Sequence, residues 1–171
     1  DIACPIDISE YITHDTLASV QYLNLDPITL KTWQRMVKNC RKLNGLRIED
    51  CKFLTDIELK HWTLPLEVLY IWIDTRGSEV TAVGVSHLLQ LSNTTLKDFT
   101  FNSSLEIHAN DLSNCIHLDS LSIHNYDFNI NLDTLLNTIS KLSKLTKIVI
   151  YTNLFTEFDE ALLKAFFKSV S

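Results

Sequence analysis

Glycine and proline are scarce, three of each in 171 residues. That excludes a flexible Gly/Pro linker dividing the chain, and it excludes the collagen-like and low-complexity classes. No apolar run approaches the roughly 20 residues needed to span a bilayer, and no signal-peptide pattern is visible. The four cysteines, Cys4, Cys40, Cys51 and Cys115, form no CxxC pair, so the usual zinc and redox spacings are absent. No HExxH, GxSxG, GxxxxGK or GxGxxG occurs. Lys and Arg are not clustered, and the net charge is −6. Nucleic acid and an anionic membrane surface are therefore not the expected partners, since both recruit basic patches; a basic protein partner is compatible. The chain opens on Asp1, which points to a mature form, an excised domain or a piece of a longer protein.

What is present is a globular composition, 46 % apolar and 21 % charged, with an internal period. The clearest unit is CRKLNGLRIEDCKFLTDIEL, residues 40–59, with the spacing CxxLxxLxIxxCxxLTDxxL. A second copy, CIHLDSLSIHNY, opens at Cys115 and repeats Leu118, Leu121 and Ile123 at the same internal spacing. Degenerate copies carry Val20, Leu23 and Leu25; Val68, Ile71 and Ile73; Leu96, Phe99 and Phe101; and Leu145, Ile148 and Ile150. Strand cores so placed start at Leu23, Leu46, Ile71, Phe99, Leu121 and Ile148, 22 to 28 residues apart.

The alternation within each pair predicts a short β-strand with both apolar side chains on one face. Helical periodicity follows each strand, over 29–39, 56–62, 81–91 and 132–142; the stretch after Phe101 has room for a turn or one helical turn. A last apolar stripe, Phe158, Leu162, Phe166 and Phe167 behind a capping Thr156, predicts a C-terminal helix over 156–169. A lone strand and helix cannot bury their apolar faces, whereas a stack of such units can. The expectation is an α/β solenoid over 1–171, one domain of about six units, with a curved parallel sheet inside and helices outside.

On residues 40–59 the chain resembles the leucine-rich-repeat family, in its cysteine-containing subclass, whose motif CxxLxxLxLxxCxxITDxxL recurs about every 26 residues. Leu54 stands where the motif has Ile. The resemblance spans about residues 17–155. It implies a horseshoe segment whose cysteines are buried free thiols. Four cysteines could alternatively make two disulfides; the repeat reading favours a reducing compartment, cytoplasmic or nuclear, over secretion. Two sequons, Asn93-Thr94-Thr95 and Asn102-Ser103-Ser104, would matter only in a secreted protein. The segment LPLEVLYI, residues 64–71, looks like the start of an F-box, but its continuation IDTRGSEV does not go on as one, and the segment is in register with the strand ladder.

Residues flanking the apolar pairs should line the inner face. Candidate partner-binding residues are Tyr22, Asp26, Arg47, Glu49, Tyr70, Trp72, Asp74, Asp98, Asn102, His124 and Tyr151. In this register Asp26, Glu49 and Asp74 form a row of three acids on neighbouring strands, beside the exposed aromatics Tyr70 and Trp72, the usual makings of a hot spot. No catalytic constellation stands out. Glu49 and Asp50 are adjacent on a strand and face opposite sides, and Cys115 and His117 point apart. The expected function is non-enzymatic recognition of a protein, with no cofactor, metal or small-molecule substrate. The resemblance implies, more specifically, a substrate-recognition arm of a ubiquitin ligase. The alternatives are a regulatory or sensor repeat domain, innate-immune or GTPase-regulating, and a pathogen effector or receptor domain.

Overall fold

The computed structural model describes residues 21–25, 29–49, 51–74, 78–105, 107–125 and 132–152. Asp26, Cys4 and the expected helix at 156–169 lie outside the described residues. Among the described residues six strands alternate with five helices: β1 (Tyr22–Leu25), α1 (Leu30–Asn39), β2 (Gly45–Glu49), α2 (Asp56–Lys60), β3 (Val68–Trp72), α3 (Ala82–Ser92), β4 (Asp98–Asn102), α4 (Ala109–Ser113), β5 (Ser120–Asn125), α5 (Leu132–Ile139) and β6 (Lys147–Thr152). The strands form one sheet in the order β1-β2-β3-β4-β5-β6, every pair parallel. Parallel neighbours need a crossover connection, and the intervening helices supply it.

One backbone device recurs where each strand begins. The carbonyl oxygen just ahead of one strand accepts two successive N–H groups at the head of the next. The Gln21 carbonyl takes Asn44 and Gly45, both at 2.9 Å; Asn44 takes Glu67 at 2.6 Å and Val68 at 3.0 Å. Glu67 takes Lys97 and Asp98 at 2.8 and 3.0 Å, Lys97 takes Asp119 and Ser120 at 2.8 and 2.9 Å, and Asp119 takes Thr146 and Lys147 at 2.9 and 3.0 Å. A carbonyl has two lone pairs, so each fork makes the first rung of the strand ladder and also satisfies the N–H one residue ahead of it.

That fork fixes the register and corrects one expectation. Leu46 pairs with Leu69 and Ile48 with Ile71, so the inward pair of β3 is Leu69/Ile71, not Ile71/Ile73. Both residues of the true pair are fully buried, and Ile73 lies just past the strand, still 94 % buried as its 6 % exposure states, its N–H donating to the Asn102 carbonyl at 3.0 Å. Leu69, Ile71 and Ile73 share parity, so the slip moves the unit by one pleat and turns no side chain over. The leading apolar residue is Leu66, fully buried, rather than Val68. Its N–H donates to the buried Ser92 hydroxyl at 3.0 Å, and its carbonyl accepts from the Thr95 hydroxyl at 2.8 Å. With Leu66 in place the spacing LxxLxL holds for Leu43/Leu46/Ile48, Leu66/Leu69/Ile71, Leu96/Phe99/Phe101, Leu118/Leu121/Ile123 and Leu145/Ile148/Ile150.

The core lies between the helices and the sheet face that carries these pairs. Trp33, Met36, Leu59, Val85, Leu88, Leu89, Leu112, Leu135 and Ile139 of the helices join Leu46, Ile48, Leu69, Ile71, Phe99, Phe101, Leu121 and Ile123 in one buried cluster. Fully burying each such aliphatic or Phe side chain stabilises the fold by about 1.5–3 kcal/mol. Trp33 and Trp62 stack with centroids 5.5 Å apart. Their indole N–H groups are satisfied by the carbonyls of Glu58 at 3.3 Å and Leu64 at 2.8 Å.

Three helices begin at threonine. Thr29, Thr55 and Thr81 each accept an N–H of the first turn, from Thr32, Ile57 and Val83. The hydroxyl of Thr55 also donates to the Glu58 carboxylate. Asp56 ties one unit to the next: its carboxylate accepts the Thr81 N–H at 2.8 Å, the Thr81 hydroxyl at 2.6 Å and the Gly84 N–H at 3.1 Å. Gly84 is needed for that approach, since a Cβ there would meet Asp56 Oδ1 at 2.5 Å and Leu59 Cδ1 at 2.8 Å. After β4 the helix is only the five residues of α4, and His108 ahead of it makes no side-chain cap.

Two substitutions test this joint. Gly84→Ala should destabilise the protein in urea denaturation, although alanine favours a helix interior by about 1 kcal/mol, because the Cβ must displace Asp56 or Leu59. Asp56→Ala should cost about 1–3 kcal/mol, since it removes a charged acceptor of three hydrogen bonds from the neighbouring unit. A more stable Gly84→Ala protein would mean that α2 and α3 do not pack as described.

Candidate functional site

The side chains that alternate with the buried pairs lie on the other face of the sheet, in three rows set by the pairing. The first is Tyr22, Gly45, Val68, Asp98, Ser120 and Lys147; the second is Asn24, Arg47, Tyr70, Thr100, Ser122 and Val149. The third is Glu49, Trp72, Asn102, His124 and Tyr151. Adjacent members of a row are about 4.8 Å apart, the strand spacing of any sheet. The face is polar at its centre, with Thr100, Asn102 and Ser122 half-buried, and carries large exposed rings: Tyr22 is 52 %, Trp72 44 % and Tyr151 53 % exposed.

The expected row of three acids is not formed. The neighbour of Glu49 on β3 is Trp72; Asp74 is exposed two residues beyond the end of that strand, and Asp26 lies outside the described residues. The cause is the fork at Asn44, which pulls the β3 pairing one pleat earlier. Trp72 thus takes the place in the third row expected for Asp74.

The remaining predicted residues sort into two groups. On β1 to β3, Glu49 Oε2 accepts from Arg47 Nε at 2.9 Å and pairs with Nη2 at 2.8 Å. The Arg47 guanidinium lies over the Tyr70 ring, 4.2 Å from its centroid. A two-point contact plus a stacked ring holds a side chain that would otherwise sample many rotamers. The Glu49 hydrogen bond raises the Arg47 pKa further above its usual value, so the guanidinium keeps its charge. Burial pushes the Tyr70 phenol up, with Arg47 acting in the opposite direction, so the phenol stays neutral at physiological pH. Tyr22 leans over Gly45, where a Cβ would collide with the ring; glycine here makes room for an aromatic from the neighbouring strand.

On β5 and β6, the Ser122 hydroxyl and His124 Nε2 are 2.9 Å apart, and the His124 and Tyr151 rings meet tilted at 35° with centroids 4.5 Å apart. Burial lowers the His124 pKa, which favours the neutral imidazole. Asp98 and Asn102 on β4 lie between the two groups, half-buried.

The thiols are core groups. Cys40, Cys51 and Cys115 are buried, and the Cys51 thiol donates to the Glu49 carbonyl at 3.3 Å. Burial raises the pKa of Cys40, and burial followed by the nearby Asp111 charge pushes Cys115 up to about 12. Neither is a thiolate at neutral pH, so neither is a ready nucleophile. The Cys115 thiol donates to the Asp111 carbonyl at 3.4 Å, while His117 is exposed. Within 64–71, Val68–Ile71 belong to β3. Among the described residues no three His, Cys, Asp or Glu side chains are grouped to hold a metal, and no helix is long and apolar enough to cross a membrane.

Two features away from this face were not anticipated. A groove of about 460 Å³ near the strand heads is lined by Glu67, Lys97, His117, Asp119 and Lys144 among others, with Lys97 and Glu67 paired at 2.9 Å. Another of about 460 Å³ lies on the helix side over α3. Both join side chains from segments far apart in sequence, and only the register brings those together. No protein-family model and no curated protein matches the chain.

The face should tolerate truncation where the core does not. Trp72→Ala should change the free energy of unfolding in urea by about 1 kcal/mol or less, whereas Trp62→Ala should cost about 3–5 kcal/mol. Equal losses would place Trp72 in a packed interior.

Proposed function

We propose that this chain is a leucine-rich-repeat solenoid that recognises a protein partner through the face bearing Tyr22, Arg47, Tyr70, Trp72, Asn102, His124 and Tyr151. The observation that carries the reading is a face that bears the exposed rings of Tyr22, Trp72 and Tyr151 together with an arginine held in place by Glu49 and the half-buried Tyr70. Aromatic and Arg side chains dominate binding energy in protein interfaces. A pre-ordered arginine loses less entropy on binding. The sequential parallel order and the recurring LxxLxL unit support the solenoid, and the curvature expected of such stacks would make this the inner surface. The Cys-bearing unit at 40–59 supports the narrower reading of a substrate-recognition arm of a ubiquitin ligase. The buried thiols of Cys40 and Cys115 fit a reducing compartment, cytoplasmic or nuclear. Recognition here needs no catalytic group or cofactor, and none is part of the proposal.

A photo-crosslinking amino acid placed at Asn102 should give one discrete protein adduct in cell lysate, and Trp72→Ala should reduce it at least tenfold. The same amino acid at Gln34, exposed on α1, should give no such adduct. An adduct at Gln34 but not Asn102, or one insensitive to Trp72→Ala, would move recognition off this face.

A further inference from the structure

The helix side carries a buried carboxylate that the recognition face does not explain. Asp111 lies in the first turn of α4 and is only 7 % exposed. Its Oδ1 accepts one hydrogen bond, 2.8 Å from Gln90 Nε2, and among the described residues no cation pairs with it. An ionised carboxylate has about four acceptor sites. The Gln90 amide fills one of these and leaves the others open to a further donor.

The same carboxylate lines the helix-side groove of about 460 Å³, together with Lys60, His87, Gln90, His108 and Asn110 among others. The groove crosses the outer surface of α3, between α2 on one side and α4 on the other. Val83, Ser86, His87 and Gln90 contribute from one stripe of α3, at i, i+3, i+4 and i+7. His87 is already engaged, its Nε2 lying 3.1 Å from the Trp62 carbonyl. Lys60 comes from α2, on the far side of α3 from Asp111, and makes no ion pair with it. The room exists because α4 is so short: five residues stand beside the eleven of α3.

We propose that this groove is a docking site for one cationic side chain, arginine or lysine, presented by a protein partner, with Asp111 as its counter-ion and the Gln90 amide positioning the carboxylate. A guanidinium or ammonium would supply the donors that Asp111 lacks, in a setting where a charge-assisted bond is stronger than in water. The acidic balance of the chain, −6, favours approach of a basic segment. The site is separate from the sheet face and stands whether or not that face binds.

The probe is N-acetyl-arginine N-methylamide, titrated into the labelled protein and followed by amide NMR, with the isosteric, uncharged citrulline analogue as control. The arginine compound should shift the Gln90 side-chain amide and the backbone amides of Asn110–Ser113 saturably, and citrulline should shift them at least tenfold less. Asp111→Asn should abolish the arginine response while leaving the rest of the spectrum in place. Equal responses to arginine and citrulline, no response to either, or an unchanged response in Asp111→Asn would each overturn the proposal. The comparison of the two probes needs only the wild-type protein, so it decides the matter even if the variant does not fold.

Discussion

The fork of two N–H groups onto one carbonyl, at the head of each strand, is the constraint on which the rest depends. It fixes where each strand begins relative to its neighbour, and with a side-chain period of two that decides which residues enter the core. From Gln21 to Asp119 the same arrangement is made five times, across connections of quite different length. Between β3 and β4 the chain adds residues after Trp72; between β4 and β5 it shortens the helix to α4. The difference is absorbed on the helix side, and the sheet stays in register. The helix-side groove follows from this, since a short helix beside a long one leaves space that side chains do not fill.

The properties of the open face are secondary to that pairing. Arg47 meets both Glu49, two residues on, and Tyr70, its partner across the ladder. Ser122 and His124 meet in the same way, as does His124 with Tyr151 on the next strand. These are neighbours along a strand or directly across it, the contacts that stabilise any sheet surface. What separates them from an ordinary solvated surface is the size of the exposed rings and the ordering of a long cationic side chain between them.

Much of this was legible in the sequence because the buried positions obey a spacing rule. The pairs Leu46/Ile48, Phe99/Phe101 and Leu121/Ile123 were placed correctly by their alternation and by the leucine three residues ahead. The helices beginning near 29, 56, 81 and 132 were legible from their apolar stripes, and the single helical turn after Phe101 from the brevity of its segment. The slip at β3 arose where Leu69, Ile71 and Ile73 offer two equally apolar pairs. Leu66, three positions ahead of Leu69, is the signal in the sequence that decides between them, and Val68 is not. The regular 26-residue step of Thr29, Thr55 and Thr81 was a further sign of the period, and it follows from caps that the strand pattern alone does not reveal. The Asp111–Gln90 contact and the Arg47–Tyr70 stack were not legible, because each joins two units and depends on how those units sit against one another. The face parity of Tyr70 and Trp72 was correct despite the slip; the acid row, which needed the register itself, was not.

The most direct test of the account is native-state amide hydrogen exchange at Gly45, Val68, Asp98 and Ser120, the strand-head groups held by the forked carbonyls. If the forks and the stacked core beneath them hold the fold together, these four amides should exchange slowly and through openings of similar free energy, close to that of global unfolding. If Val68 or Asp98 exchanges at the rate of a fraying loop while its neighbours are protected, the forks do not set the register and the assignment of the face fails with them.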